Sequence, residues 1–117
     1  MFDTSTDNII KTAEKFKLPV ANRRIYENEV DNYNYIIVRE GILRETSNKA
    51  FVREIIVAYI YENESQIDDF KIINEFKNIG LKFSRMEPDD FRLEKTNRWI
   101  DMKTFIFERP EKDKINV

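Results

Sequence analysis

AFVREIIVAYIYE, residues 50–62, is the stretch on which the fold turns. From Ile55 to Tyr61 it is apolar at odd and even positions alike. Successive side chains of a strand point to opposite faces, so a strand of this kind keeps both faces out of water. It either lies in the middle of a sheet covered on both sides, or it turns one side to a partner subunit.

The flanking sequence supplies the rest of a sheet. Upstream, YNYIIVRE (33–40) combines three consecutive β-branched residues with two tyrosines, which is strand composition. Gly41 opens a polar stretch, residues 41–50, that reads as a loop between the two strands. RRIYE (23–27) is a candidate short strand, followed by the turn-rich NEVDN (28–32). At the N-terminal end, Ile9, Ile10, Ala13 and Phe16 recur on one helical face, with Thr4, Ser5 or Thr6 as cap. The helix is expected over 5–18, ending before Pro19.

Downstream, Ser65 and Asp68 suggest a capping box. Phe70, Ile72, Ile73, Phe76 and Ile79 then form a stripe that Gly80 closes as a left-handed cap. Residues 81–95 and 98–109 read as two long strands around Thr96-Asn97. The expected class is α+β: a mostly antiparallel sheet of four to five strands, an N-terminal helix, and a second helix packed on the sheet. Residues 1–110 form one domain in this reading, and 111–117 form a flexible tail.

Composition narrows the chemistry. The chain has 117 residues, 41% of them hydrophobic and 36% charged, which suits one globular domain. No apolar run reaches the roughly 20 residues of a bilayer span, and MFDTSTDN lacks the features of a signal peptide. The net charge of −2 gives no global pull toward nucleic acid or acidic membranes. Cysteine and histidine are both absent, which removes disulfides, thiolate nucleophiles, zinc–thiolate sites and every histidine-based triad. With only Gly41 and Gly80, no phosphate-binding glycine loop can form.

One enzymatic pattern survives. Asp89, Asp101 and Lys103 have the order of a Mg²⁺-dependent restriction-like nuclease, in which carboxylates bind the ion and a lysine positions the attacking water. Glu75, on the preceding helix, could complete it. An ordinary hairpin explains more residues. A two-residue turn at Thr96-Asn97 opposes Phe91 to Met102 and Leu93 to Ile100 on one face. On the other it opposes Asp90 to Lys103 and Arg92 to Asp101, each pair contributing about 0.2–1 kcal/mol. Asp89 then lies opposite Thr104, away from Asp101. Asp68-Asp69 suits a helix N-terminus better than a metal. Lys11, Lys15 and Lys17 with Arg23-Arg24 and Tyr26 suit a solvated face better than a nucleic-acid patch. No enzymatic activity, metal or cofactor is expected.

The aromatic load is high: nine Phe, five Tyr and one Trp. The tyrosines crowd the first sheet segment. Tyr33, Tyr35, Tyr59 and Tyr61 join an apolar ring to a polar tip, which suits a surface buried on association as well as it suits core packing within one chain.

In the order and size of these elements, the chain resembles the tail terminator, or tail-to-head joining, proteins of long-tailed bacteriophages. NYIIVREG…AFVREIIVAYIYEN (34–63), IDDFKIINEFKNIG (67–80) and LKFSRMEPDDFRLEKTNRWIDMKTFIFERP (81–110) carry the likeness. The likeness implies a structural protein of the virion neck, assembled in the host cytoplasm as a hexameric ring on the last tail tube subunits. The ring would stop tube growth, meet the head connector, and let DNA pass its lumen without specific binding. Segment 41–50, with Ile42, Leu43 and Arg44, would be a contact arm. The alternatives are the small nuclease and a monomeric binding module.

Overall fold

The computed structural model describes residues 2–22, 33–94 and 96–111. In chain order the elements are α1 (Thr6–Glu14), β1 (Val20–Ala21), β2 (Asn34–Glu45), β3 (Phe51–Tyr61), α2 (Asp69–Asn78), β4 (Lys82–Leu93) and β5 (Arg98–Glu111). The five strands form one sheet in the order β1-β2-β3-β5-β4. The chain is α+β, as its pattern suggests. The sheet is antiparallel from β2 through β4, and β1 joins the β2 edge in parallel, so it is mixed. The expected strand over 23–27 falls outside the described residues.

β3 sits at the centre with β2 and β5 on either side, as its two apolar faces require. Ile55, Val57 and Tyr59 point to one face, where Ile36, Val38, Phe105 and Phe107 join them beneath Ile9 and Ala13 of α1 and Ile72 and Phe76 of α2. Ala58 and Ile60 point to the other face and cluster with Tyr33, Tyr35, Ile37, Leu93 and Ile100. One sheet thus carries two cores. The proline positions agree with this layout, because proline cannot donate to a ladder. Pro88 lies on the edge strand β4, and Pro110 lies past the last β4–β5 pair, Lys82–Glu108.

Several expectations need correction. The first helix ends at Glu14 instead of residue 18, because the chain tightens into a turn that carries Lys17 to φ 61°. Ser5 is its cap, accepting from the Asn8 amide at 3.3 Å. The stretch 41–50 is not a loop: β2 runs on to Glu45 through a bulge between Glu40 and Leu43. Gly41 sits in that bulge, where an added Cβ would lie 2.8 Å from the Ile56 side chain. The turn is confined to 46–50, closed by Thr46 donating its amide to the Ala50 carbonyl at 2.7 Å. Glu111, assigned to the tail, pairs with Phe51 at the end of β5.

The fourth correction is the β4–β5 register, which is two residues out of step with the expected one. Leu93 pairs with Arg98, Phe91 with Ile100, Asp90 with Asp101 and Asp89 with Met102. The connection is 94–97, and Asn97 takes φ 55° while its amide donates to the Leu93 carbonyl at 2.9 Å. A shift of two leaves every side chain on its expected face but changes all its partners.

In α2 the cap is Asp68 itself, accepting from the Phe70 amide at 2.8 Å. Ser65 is not the cap; its hydroxyl donates to the Ile67 carbonyl. Gly80 closes the helix at φ 109°, as a left-handed cap should. Phe70 leaves the expected stripe: six residues before Phe76, it points about 120° away around the helix and is 71% exposed. Phe76 is fully buried, with its ring 5.3 Å from that of Phe107 and 6.5 Å from that of Phe16. Phe76→Ala is expected to destabilise the protein by roughly 3–5 kcal/mol in urea unfolding, and Phe70→Ala by less than about 0.5 kcal/mol.

Candidate functional site

The register separates the residues of the nuclease pattern. Asp89 shares the face of its partner Met102, on the side away from the helices. Asp101 and Lys103 lie on the helix-covered face. The sheet therefore stands between Asp89 and Asp101. Lys103 donates from Nζ to Asp69 Oδ1 at 2.7 Å and sits over the Tyr61 ring, 5.6 Å from its centre. Glu75 lies 3.6 Å from Lys15. Among the described residues, no group of three acidic side chains converges on a point that could hold a metal.

The Lys103 contact has an electrostatic consequence. The hydrogen bond to Asp69 raises the Lys103 pKa above the usual 10.5, against an opposing push from burial. A raised lysine pKa stabilises the fold fully below the unfolded value and loses that contribution as pH rises through the folded value. Burial first of all raises the Tyr61 pKa as well, while Lys103 beside it works in the other direction.

Of the four tyrosines singled out, Tyr33, Tyr35 and Tyr59 are at most 3% exposed. Within one chain they are core residues. Tyr59 accepts from the Gln66 amide at 3.0 Å and stacks beside Tyr61 at 4.9 Å, so its polar tip holds the β3–α2 connection. Tyr33 meets Phe91 edge-on at 6.4 Å, and the Arg98 guanidinium lies over the Tyr33 ring, 5.8 Å from its centre.

Ile42, Leu43 and Arg44 fare differently. β2, β3 and the end of β5 continue past the helices as a three-stranded arm. Ile42 is 66% exposed and Leu43 45%. Ion pairs brace the arm. Arg44 donates to Glu108 at 2.7 Å, and Arg53 to Glu111 at 2.9 Å and to the Gly41 carbonyl at 3.2 Å. At its base Arg109 donates to Glu40 at 2.9 Å and to the Thr4 carbonyl at 3.2 Å, which ties in the start of α1. The hydrogen bond from Arg109 holds the Glu40 carboxyl below its usual pKa.

The second sheet face carries a feature that residue-by-residue reading missed. A groove of about 390 Å³ crosses β2, β3, β5 and β4, with Ile37, Ile56, Ile60, Phe91 and Met102 on its walls and Ala58 and Thr104 on its floor. Arg39 on β2 and Asp89 on β4 stand at opposite rims, both exposed. Small side chains at 58 and 104, which are opposed in the β3–β5 register, leave the space. That opposition is a property of pairing, so no single segment displays it.

Comparison with protein-family models finds no match, and comparison with curated proteins finds none either. No helix among the described residues is long and apolar enough to cross a membrane. Asp69→Asn is expected to bring the Lys103 pKa back toward 10.5, read by NMR titration of the lysine side chain. An unchanged Lys103 pKa would contradict the pairing.

Proposed function

We propose that this chain is a structural subunit of a long-tailed phage neck, a ring-forming terminator that caps the tail tube and joins it to the head connector. It acts by contact and carries no catalytic step. The observation that carries this reading is the arm, with Ile42 and Leu43 held at the periphery in open water. Apolar side chains braced by ion pairs on a projecting three-stranded arm are what a subunit offers to a neighbour. The resemblance in the order of helices and strands supports the same reading. In this role the ring is a hexamer in the virion, its partners are tail tube and connector subunits, and DNA passes through its lumen.

Native mass spectrometry over a range of concentrations, with negative-stain images of the large species, tests it. The expected result is a closed ring, most simply of six copies, in the free protein or after addition of tail tubes. A strict monomer under both conditions would remove the proposal.

A further inference from the structure

β4 is an outer strand of the sheet, 12 residues long, and no described strand lies beyond it. The outer side of such a strand is a row of backbone groups onto which another extended chain can add. Along an antiparallel ladder, successive residues turn those groups alternately inward and outward. Leu93 turns inward, its carbonyl accepting from the Asn97 amide at 2.9 Å. The register holds without a shift from Leu93 back to Arg85, so Arg92, Asp90, Pro88 and Met86 turn outward. Asp90 agrees with this parity: its amide donates to Asp89 Oδ1 at 2.8 Å.

The middle of the open edge therefore offers no ready donor. Pro88 has no N–H, and the amide of Asp90 is already engaged by its neighbour's carboxylate. The register shift between Phe83 and Arg85 disturbs the strand again just before Met86. We infer that Pro88-Asp89-Asp90 is an edge guard, which keeps a second copy of this chain from adding its own β4 to the sheet. The inference goes beyond the neck reading and does not rest on it.

Side-chain charge alone would not close this edge. Two β4 strands laid antiparallel about Glu87 set Arg85 of each copy opposite Asp89 of the other, on both sides of a single Glu87–Glu87 contact. That repulsion is softened within each chain, where Arg85 already pairs with Glu87 at 3.2 Å. A second copy is thus the strand whose charges match the edge. The backbone is what refuses it. In that register Met86 stands opposite Pro88, and the bond that residue 88 should donate is missing at both ends.

The chain has no cysteine, so a single cysteine reports the contact without background. Glu87→Cys places one at the centre of the register, where it meets its own copy. That chain is oxidised with copper-phenanthroline beside one that also carries Pro88→Thr and Asp89→Ala, and a third that adds Asp90→Pro to those. All four positions are exposed, and circular dichroism checks that each chain folds. The opened edge is expected to cross-link roughly tenfold faster than Glu87→Cys alone. Asp90→Pro is expected to restore the slow rate, because it removes an outward donor again while taking away one more charge. Should the multiply substituted chains lose their fold, Pro88→Thr with Glu87→Cys carries the test, with a smaller rise expected. Equal rates with and without the opening substitutions would overturn the guard. So would fast cross-linking that persists with Asp90→Pro, since lost charge and not a freed backbone would then drive the pairing.

Discussion

Everything in this fold depends on keeping both faces of β3 out of water. Ile55, Val57 and Tyr59 on one side and Ala58 and Ile60 on the other leave that strand no solvent side. It must take the middle of the sheet, and its neighbours must carry matching apolar residues. β5 does so with Phe105 and Phe107 toward the helices and Ile100 and Met102 away from them. Each residue at the centre buries about 1.5–3 kcal/mol worth of side chain relative to exposure. Two amphipathic helices of modest length suffice for the first face. The second face has to be finished by other means, and that is where the groove lies.

Charge does the work that hydrophobic packing cannot do on the arm. Past Gly41 the described side chains of the strands are mostly half-buried or exposed. Arg53 pairs with Glu111 on the adjacent β5, and Arg44–Glu108 and Arg109–Glu40 reach across β3 between β2 and β5, so the three strands stay together beyond the core. A single exposed pair contributes at most about 1 kcal/mol. Several in one network, with Arg109 also holding the chain before α1, give the arm a defined direction.

The sequence made much of this architecture legible. The two-sided apolar run placed β3 at the centre, and the spacing of Ile72 and Phe76 placed α2 on the sheet. It was less informative where local signals compete. Gly41 followed by polar residues looks like a loop, but a bulge absorbs the glycine and the strand continues. The charge pairs Asp90–Lys103 and Arg92–Asp101 looked sufficient to set the last hairpin. Longer-range partners won instead: Lys103 turns to Asp69 and Arg98 to Glu62, while Asp90 is left facing Asp101. Ile42 and Leu43 were readable as apolar residues within a polar stretch, and the structure exposes both. The sequence left core packing and association equally open for the tyrosines, because a tyrosine hydroxyl satisfied by a backbone amide, as in Tyr59, leaves no mark in the chain order.

The central claim is that the arm of one copy meets another subunit, while the helix face is complete in one chain. Amide hydrogen exchange at low and high protein concentration measures this directly. The expected result is added protection in β2 and β3 around the arm, with α1 and α2 unchanged. Identical exchange at both concentrations, or new protection confined to the helices, would contradict it.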